Sequence, residues 1–134
     1  MNWSKQEMTI NQTVSINASP ADVYAALMTS GIFGRATNGQ AEIGPNEGDA
    51  FSLFEGKVTG RHIELVPGER IVQGWRIGMW PEGAYSIVTF SLSDENGGTT
   101  LSLVHSGYPS DMEEHLVPGW HKMYWDPLAA HFAK

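Results

Sequence analysis

The sequence predicts a single α+β domain. A strongly curved antiparallel sheet of about six or seven strands wraps around a long C-terminal helix, with one or two short helices after the first strand. Three observations carry this. Residues 41–106 are short alternating runs separated by hairpin-length turns, as in an antiparallel meander. The C-terminal stretch instead repeats large apolar residues every fourth position, at Trp120, Tyr124, Leu128 and Phe132. A length of 134 residues suits one domain, spanning residues 1–134, and suffices to bury a core without staples.

The elements follow in order. In residues 9–16 Val14 and Ile16 alternate with polar neighbours, which reads as a half-buried strand. Ser19 is placed to cap a helix with Pro20 at its first position and Asp22 at its third. That helix runs to about Met28 and turns Val23, Tyr24 and Leu27 to one side. Gly31 and Gly34 allow at most a short second helix. The cluster Gly44-Pro45-Asn46-Glu47-Gly48 is a turn, followed by a short strand over residues 50–54 and a turn at Glu55-Gly56. In the strand over residues 57–66, Val58, Gly60, His62 and Glu64 oppose Thr59, Arg61, Ile63 and Leu65. Pro67-Gly68 turns the chain into residues 70–77, where Trp75 and Arg76 must face opposite sides. Residues 85–93 put Val88, Phe90 and Leu92 on one face. Asn96-Gly97-Gly98 makes a hairpin. Residues 99–106 put Leu101, Leu103 and His105 on one face. The last helix is expected from near Pro118-Gly119 to about Ala133, kinked at Pro127 with Asp126 as a second cap.

Composition narrows the function. With 41% hydrophobic and 17% charged residues the chain is a folded domain, not a disordered one. It has no cysteine, which excludes disulfides, thiolate metal sites and a cysteine nucleophile. The segment MNWSKQEMTI has no apolar core of signal-peptide length, and no run reaches the roughly 18 apolar residues of a membrane span. A cytoplasmic location is expected. Eight Lys+Arg stand against 15 Asp+Glu, for a net charge of −7. The cations Lys5, Arg35, Lys57, Arg61, Arg70, Arg76, Lys122 and Lys134 form no stripe that would track phosphates. Nucleic acid and anionic membrane are therefore not expected partners, and the acidity reads as solubility.

Residues 51–80, FSLFEGKVTGRHIELVPGERIVQGWRIGMW, have a strand, a glycine turn, a strand ending in Pro-Gly and then Ile-Val-Gln-x-Trp-Arg. Residues 85–90, Gly98-Thr99-Thr100-Leu101, His105-Ser106-Gly107 and Gly119-Trp120 continue the pattern in order. This resembles the homologues of the activator of the heat-shock-protein-90 ATPase, within the START-like, birch-pollen-allergen-type helix-grip (SRPBCC) superfamily. The likeness covers roughly Thr9 to Phe132. It implies the same helix-grip fold and a link to chaperones and the stress response. In the eukaryotic activators the corresponding domain follows another that makes much of the chaperone contact. This chain is expected to be a stand-alone domain of the C-terminal type. Small stand-alone members of the superfamily resemble carriers, sensors or sequestering proteins for lipid-like or aromatic molecules, and some relatives are cyclases or hydrolases.

The cleft between sheet and helix is thus the expected ligand site. Trp75, Trp80, Trp120 and Trp125 either line it or fill the core. Trp80, in a loop before Pro81, and Trp125, off the main stripe, are expected at a rim or a protein contact. Arg76 either anchors a ligand carboxylate or phenolate or pairs with a surplus acid. His105 either contacts ligand, or acts as a base, or is a core histidine satisfied by a backbone carbonyl or a tyrosine; His62 has a weaker version of the same case. Phe51, Val88, Phe90, Leu103 and Tyr124 complete the expected wall. His115, His121 and His131 lack the i, i+4 spacing of a helical metal site, and there is no HExxH. Neither metal nor cofactor is expected. Ser106-Gly107 lacks a nucleophile elbow, so no catalytic residue is assigned. The primary expectation is binding of a hydrophobic, aromatic or lipid-like small molecule. The alternatives are a chaperone-linked protein-interaction module, and a cyclase or hydrolase using the same cleft with His105 or Asp126 as acid or base. A homodimer is compatible with a domain of this size.

Overall fold

The computed structural model describes residues 9–133; the segment ahead of Thr9, including Lys5, and Lys134 lie outside them. Strand β1 (Thr9–Ile16) leads to helices α1 (Pro20–Met28) and α2 (Ser30–Thr37). Six strands follow: β2 (Ala41–Ile43), β3 (Ala50–Leu53), β4 (Val58–Val66), β5 (Arg70–Ile77), β6 (Ser86–Glu95) and β7 (Gly98–Ser106). A 3₁₀ turn (Ser110–Met112) enters α3 (Glu113–Trp120), which runs through a π turn (His121–Trp125) into α4 (Asp126–His131). This is the curved seven-stranded antiparallel sheet around a C-terminal helix that the pattern predicted.

The sheet order is β1-β7-β6-β5-β4-β3-β2, so the meander β2 to β7 is closed at its far edge by β1 lying on β7. The inward side carries Val88, Phe90 and Leu92 of β6 and Leu101, Leu103 and His105 of β7, all buried as their alternation requires. Helix α1 starts as expected, with Ser19 Oγ accepting from the Asp22 amide at 3.2 Å and Pro20 at the first position. Gly60 permits a close approach: a Cβ there would lie 2.6 Å from Phe51 Cζ and run into the Gly74 carbonyl.

Three expectations are corrected. In β4 the pairing moves from His62↔Gln73 to Glu64↔Val72, leaving Ile63 as an extra, bulged residue. The bulge swaps the faces beyond it. Glu64 therefore turns outward to pair with Arg70 at 2.8 Å, while Leu65 packs against the core. The last helix begins at Glu113, five residues before Pro118, and Pro118 lies inside it. Nor does Asp126 cap a restarted helix: its backbone is helical, and its amide donates to the His121 carbonyl five residues back. Pro127 has no N–H for the carbonyl four residues back and its ring crowds that oxygen; the turn before it opens to the wider π register.

Candidate functional site

The π turn decides which aromatics face the sheet. On a regular helix Trp125 lies roughly 140° from Trp120 and faces away from the sheet. The wider turn reduces that angle, so Trp120, Tyr124 and Trp125 are all buried, at 2%, 3% and 2% exposure. Gln12, on the inner face of β1, pins this turn. Its Oε1 accepts from Trp125 Nε1 at 2.6 Å and its Nε2 donates to the Val117 carbonyl at 3.1 Å.

Beneath the rod a polar relay runs through apolar surroundings. Ser86 donates its hydroxyl proton to the Trp75 carbonyl at 2.7 Å. Its oxygen therefore accepts from His105 Nε2–H at 2.8 Å, which leaves Nδ1 to accept from Trp120 Nε1–H at 3.1 Å. His105 is fully enclosed, with the rings of Trp75, Tyr108 and Trp120 centred 4.9–5.5 Å away. Burial disfavours its cation and pushes its pKa down to about 3. Both nitrogens are used, and the serine proton points away from the imidazole. In this arrangement the pair orders the core, and the imidazole has no free lone pair with which to act as a base. His62 is likewise buried. It stacks on Phe51 and bonds the Gly44 carbonyl through Nε2 at 2.9 Å, tying down the turn after β2.

Beside this relay, between α3 with the π turn and the ends of β4 and β5, opens a cavity of about 420 Å³. That is within the range of small-molecule sites, roughly 300–1,000 Å³. Trp75, Trp120 and Tyr124 form its inner wall, with Phe54, Val58, Ile77 and Leu116 around them. Met79 (78% exposed) and Met123 (36% exposed) stand at the mouth with the exposed Lys57 and His115. The wall is almost entirely apolar. Its buried polar side-chain atoms belong to Trp75, Trp120 and Tyr124: Trp120 Nε1–H is engaged with His105, and the Tyr124 oxygen accepts from Trp75 Nε1–H at 3.3 Å. Burial pushes the Tyr124 pKa up, so the phenol keeps its proton. Among the described residues, no three His, Asp or Glu side chains converge to hold a metal ion, and no helix is long and apolar enough to cross a membrane.

A family model, that of the activator of Hsp90 ATPase homolog 1-like proteins, matches residues 17–133. The chain belongs to this family. The human activator of 90 kDa heat shock protein ATPase homolog 1 is 32% identical over 114 residues, 85% of this chain and 34% of that protein. The Dictyostelium discoideum homologue is 30% identical over 93% of this chain and 33% of its own length. The chain thus spans about a third of the length of these curated relatives. Among solved structures, an HSP90 activator from Plasmodium falciparum superposes with a TM-score of 0.84 at 25% identity, covering 92% of this chain and 94% of that one. A Chromobacterium violaceum protein reaches 0.77 at 28% identity, covering 94% and 97%.

Within this Hsp90-activator-like fold the expected site residues divide by depth. Trp75, Trp120 and Tyr124 line the cavity. Val88, Phe90, Leu103 and His105 sit in the closed core, and Phe51 is engaged under His62. Arg76 faces the other side of β5 from Trp75 and donates to the Trp80 carbonyl at 2.7 Å, with its guanidinium 5.7 Å from the Tyr85 ring centre. It braces the loop after β5 instead of meeting an acid. Trp80 is buried edge-on against Trp75, not at the rim, and Trp125 is buried under the π turn. Asp126 is exposed on the rod. Sequence reasoning missed Phe54, Val58, Ile77, Leu116 and the two mouth methionines. The alternation of β4 pointed to Val58, whereas Phe54 lines the site from a turn residue at φ 55°, which no periodicity announces.

Proposed function

We propose that this domain binds a hydrophobic, aromatic or lipid-like molecule in the cavity between its C-terminal rod and the ends of β4 and β5, acting as a carrier, sensor or sequestering protein. The observation that carries this reading is the open, apolar, aromatic-walled cavity of about 420 Å³. Magnitudes set the expected affinity. A ligand burying roughly 300 Å² of apolar surface gains about 7 kcal/mol at 25 cal/mol per Å². Association costs at least about 4 kcal/mol, so a small hydrocarbon binds in the millimolar range. Each further ~55 Å² buried tightens binding about tenfold. Larger, lipid-sized ligands are favoured on this ground. A thermal-shift titration with fatty acyl chains and polycyclic aromatics tests the reading. A native-state binder raises the melting temperature with ligand concentration, by about 2.7 kcal/mol of stabilisation at one hundred times Kd. A flat response across both classes would reject it.

A second reading is favoured by the family match: a cytoplasmic co-chaperone module that contacts an Hsp90-type ATPase. The curated relatives are described as activators of the 90 kDa heat shock protein ATPase, and this domain corresponds to about a third of their length. Stimulation of ATP hydrolysis by the Hsp90 homologue of the same host is the test. No stimulation and no co-sedimentation at tens of micromolar would set this reading aside.

A further inference from the structure

The polarity of the cavity wall narrows the ligand class, given the small-molecule reading above. Trp75 Nε1–H donates to the Tyr124 oxygen at 3.3 Å, so that oxygen is already an acceptor. The phenol is buried, keeps its own proton, and among the described residues meets no acceptor for it. Tyr124 also forms part of the cavity wall. A buried donor without an acceptor is costly, and a ligand oxygen is the group that would satisfy it. The rest of the inner wall offers no cation; Lys57 stands at the mouth, in solvent. An anion drawn fully inside would lose its hydration with nothing but one neutral hydroxyl in return. The geometry points to a neutral ligand that has an apolar body and one hydrogen-bond-accepting oxygen, a ketone, ester or ether, seated on the Tyr124 hydroxyl.

Three probes of one diphenyl skeleton separate the cases: benzophenone (a neutral acceptor), diphenylmethane (none) and diphenylacetate (an anion). Their Kd values are measured by calorimetry on the wild-type chain and on Tyr124→Phe. The wild type is expected to bind benzophenone roughly tenfold more tightly than diphenylmethane, the scale of one neutral hydrogen bond. Tyr124→Phe is expected to erase that preference by weakening benzophenone alone. Irradiation of bound benzophenone, whose excited carbonyl oxygen abstracts hydrogen only from groups in contact with it, should label the inner wall beside Tyr124, and labelling confined to Met79 at the mouth would overturn the inference. Equal affinities for ketone and hydrocarbon in the wild type overturn the inference while leaving apolar binding intact, and this result does not depend on the variant folding. Tightest binding by diphenylacetate, retained in Tyr124→Phe and lost in Lys57→Gln, also overturns it, because the anchor is then at the rim. Binding of none of the three overturns the inference. If the acyl chains and polycyclic aromatics also fail in the thermal-shift titration, the small-molecule reading falls with it.

Discussion

A histidine bonded on both nitrogens inside an aromatic shell makes the fold sensitive to acid. In the unfolded chain this imidazole takes up a proton near its usual pKa of 6.5; in the fold His105 does so only near pH 3. Between these values the unfolded chain binds the extra proton, so acid favours unfolding. Its contribution to stability is therefore complete above pH 6.5 and is lost progressively as pH falls toward 3, on the order of 5 kcal/mol over the whole window. Burial lowers the pKa of His62 as well and adds to the same slope. Urea midpoints are expected to fall steadily from pH 7 to pH 4. The His105 imidazole should keep the neutral, Nε2-protonated signature in NMR spectra down to about pH 4, below which its depressed pKa comes into range. Titration of His105 near pH 6.5 in the folded protein would contradict the relay with Ser86 and Trp120.

At the scale of elements, what was legible depended on whether the local period survived. Strands β5 to β7 keep strict alternation between clear turns, and α1 has a complete capping signal, so both read directly from the residues. Where one residue is inserted, the reading fails beyond it. The bulge at Ile63 turned Glu64 outward, and the π turn brought Trp125 inside. The start of α3 was hidden for another reason: up to Pro118 only Leu116 is buried, so there is no stripe to see. The site was half legible because its Trp and Tyr residues lie on regular elements, while Phe54 and Met79 come from turns. The insertion account of the rod predicts a deletion. Without the exposed Lys122, Tyr124, Trp125, Leu128 and Phe132 fall at i+3, i+4, i+7 and i+11 from Trp120, one continuous α-helical stripe. Deleting Lys122 puts Pro127 back into a regular turn and is expected to cost about 3 kcal/mol, the proline penalty alone. Deleting Val117 from the regular turn of α3 should cost more, because it rotates Leu116 off the core. Comparing the two by urea denaturation tests this, and equal losses would count against the π turn as a removable insertion.

For the molecule as a whole, the cavity divides the rod into two unequally supported halves. α4 packs on α2 and buries Leu128 completely, and the π turn is pinned by Gln12. α3 instead lies over the cavity, holding the core through Leu116 and Trp120, tied to β1 where Gln12 Nε2 donates to the Val117 carbonyl at 3.1 Å, and joined to the preceding loop by the Tyr108 hydroxyl, which donates to Glu113 at 2.7 Å. A helix with a void beneath part of its inner face has fewer partners to lose on opening, so it should open below the global unfolding free energy. Hydrogen exchange is expected to show α3 amides exchanging at least about tenfold faster than those of β6, β7 and the last turn around Leu128. Filling the cavity should slow α3 and residues 77–79 together and leave α2 unchanged, because only the first two border the bound molecule. Exchange of α3 and α4 at one common rate would mean that the rod opens as a single body. That result would mean that the void does not weaken α3 on its own, and ligand entry would rely on the existing mouth between Met79 and Met123.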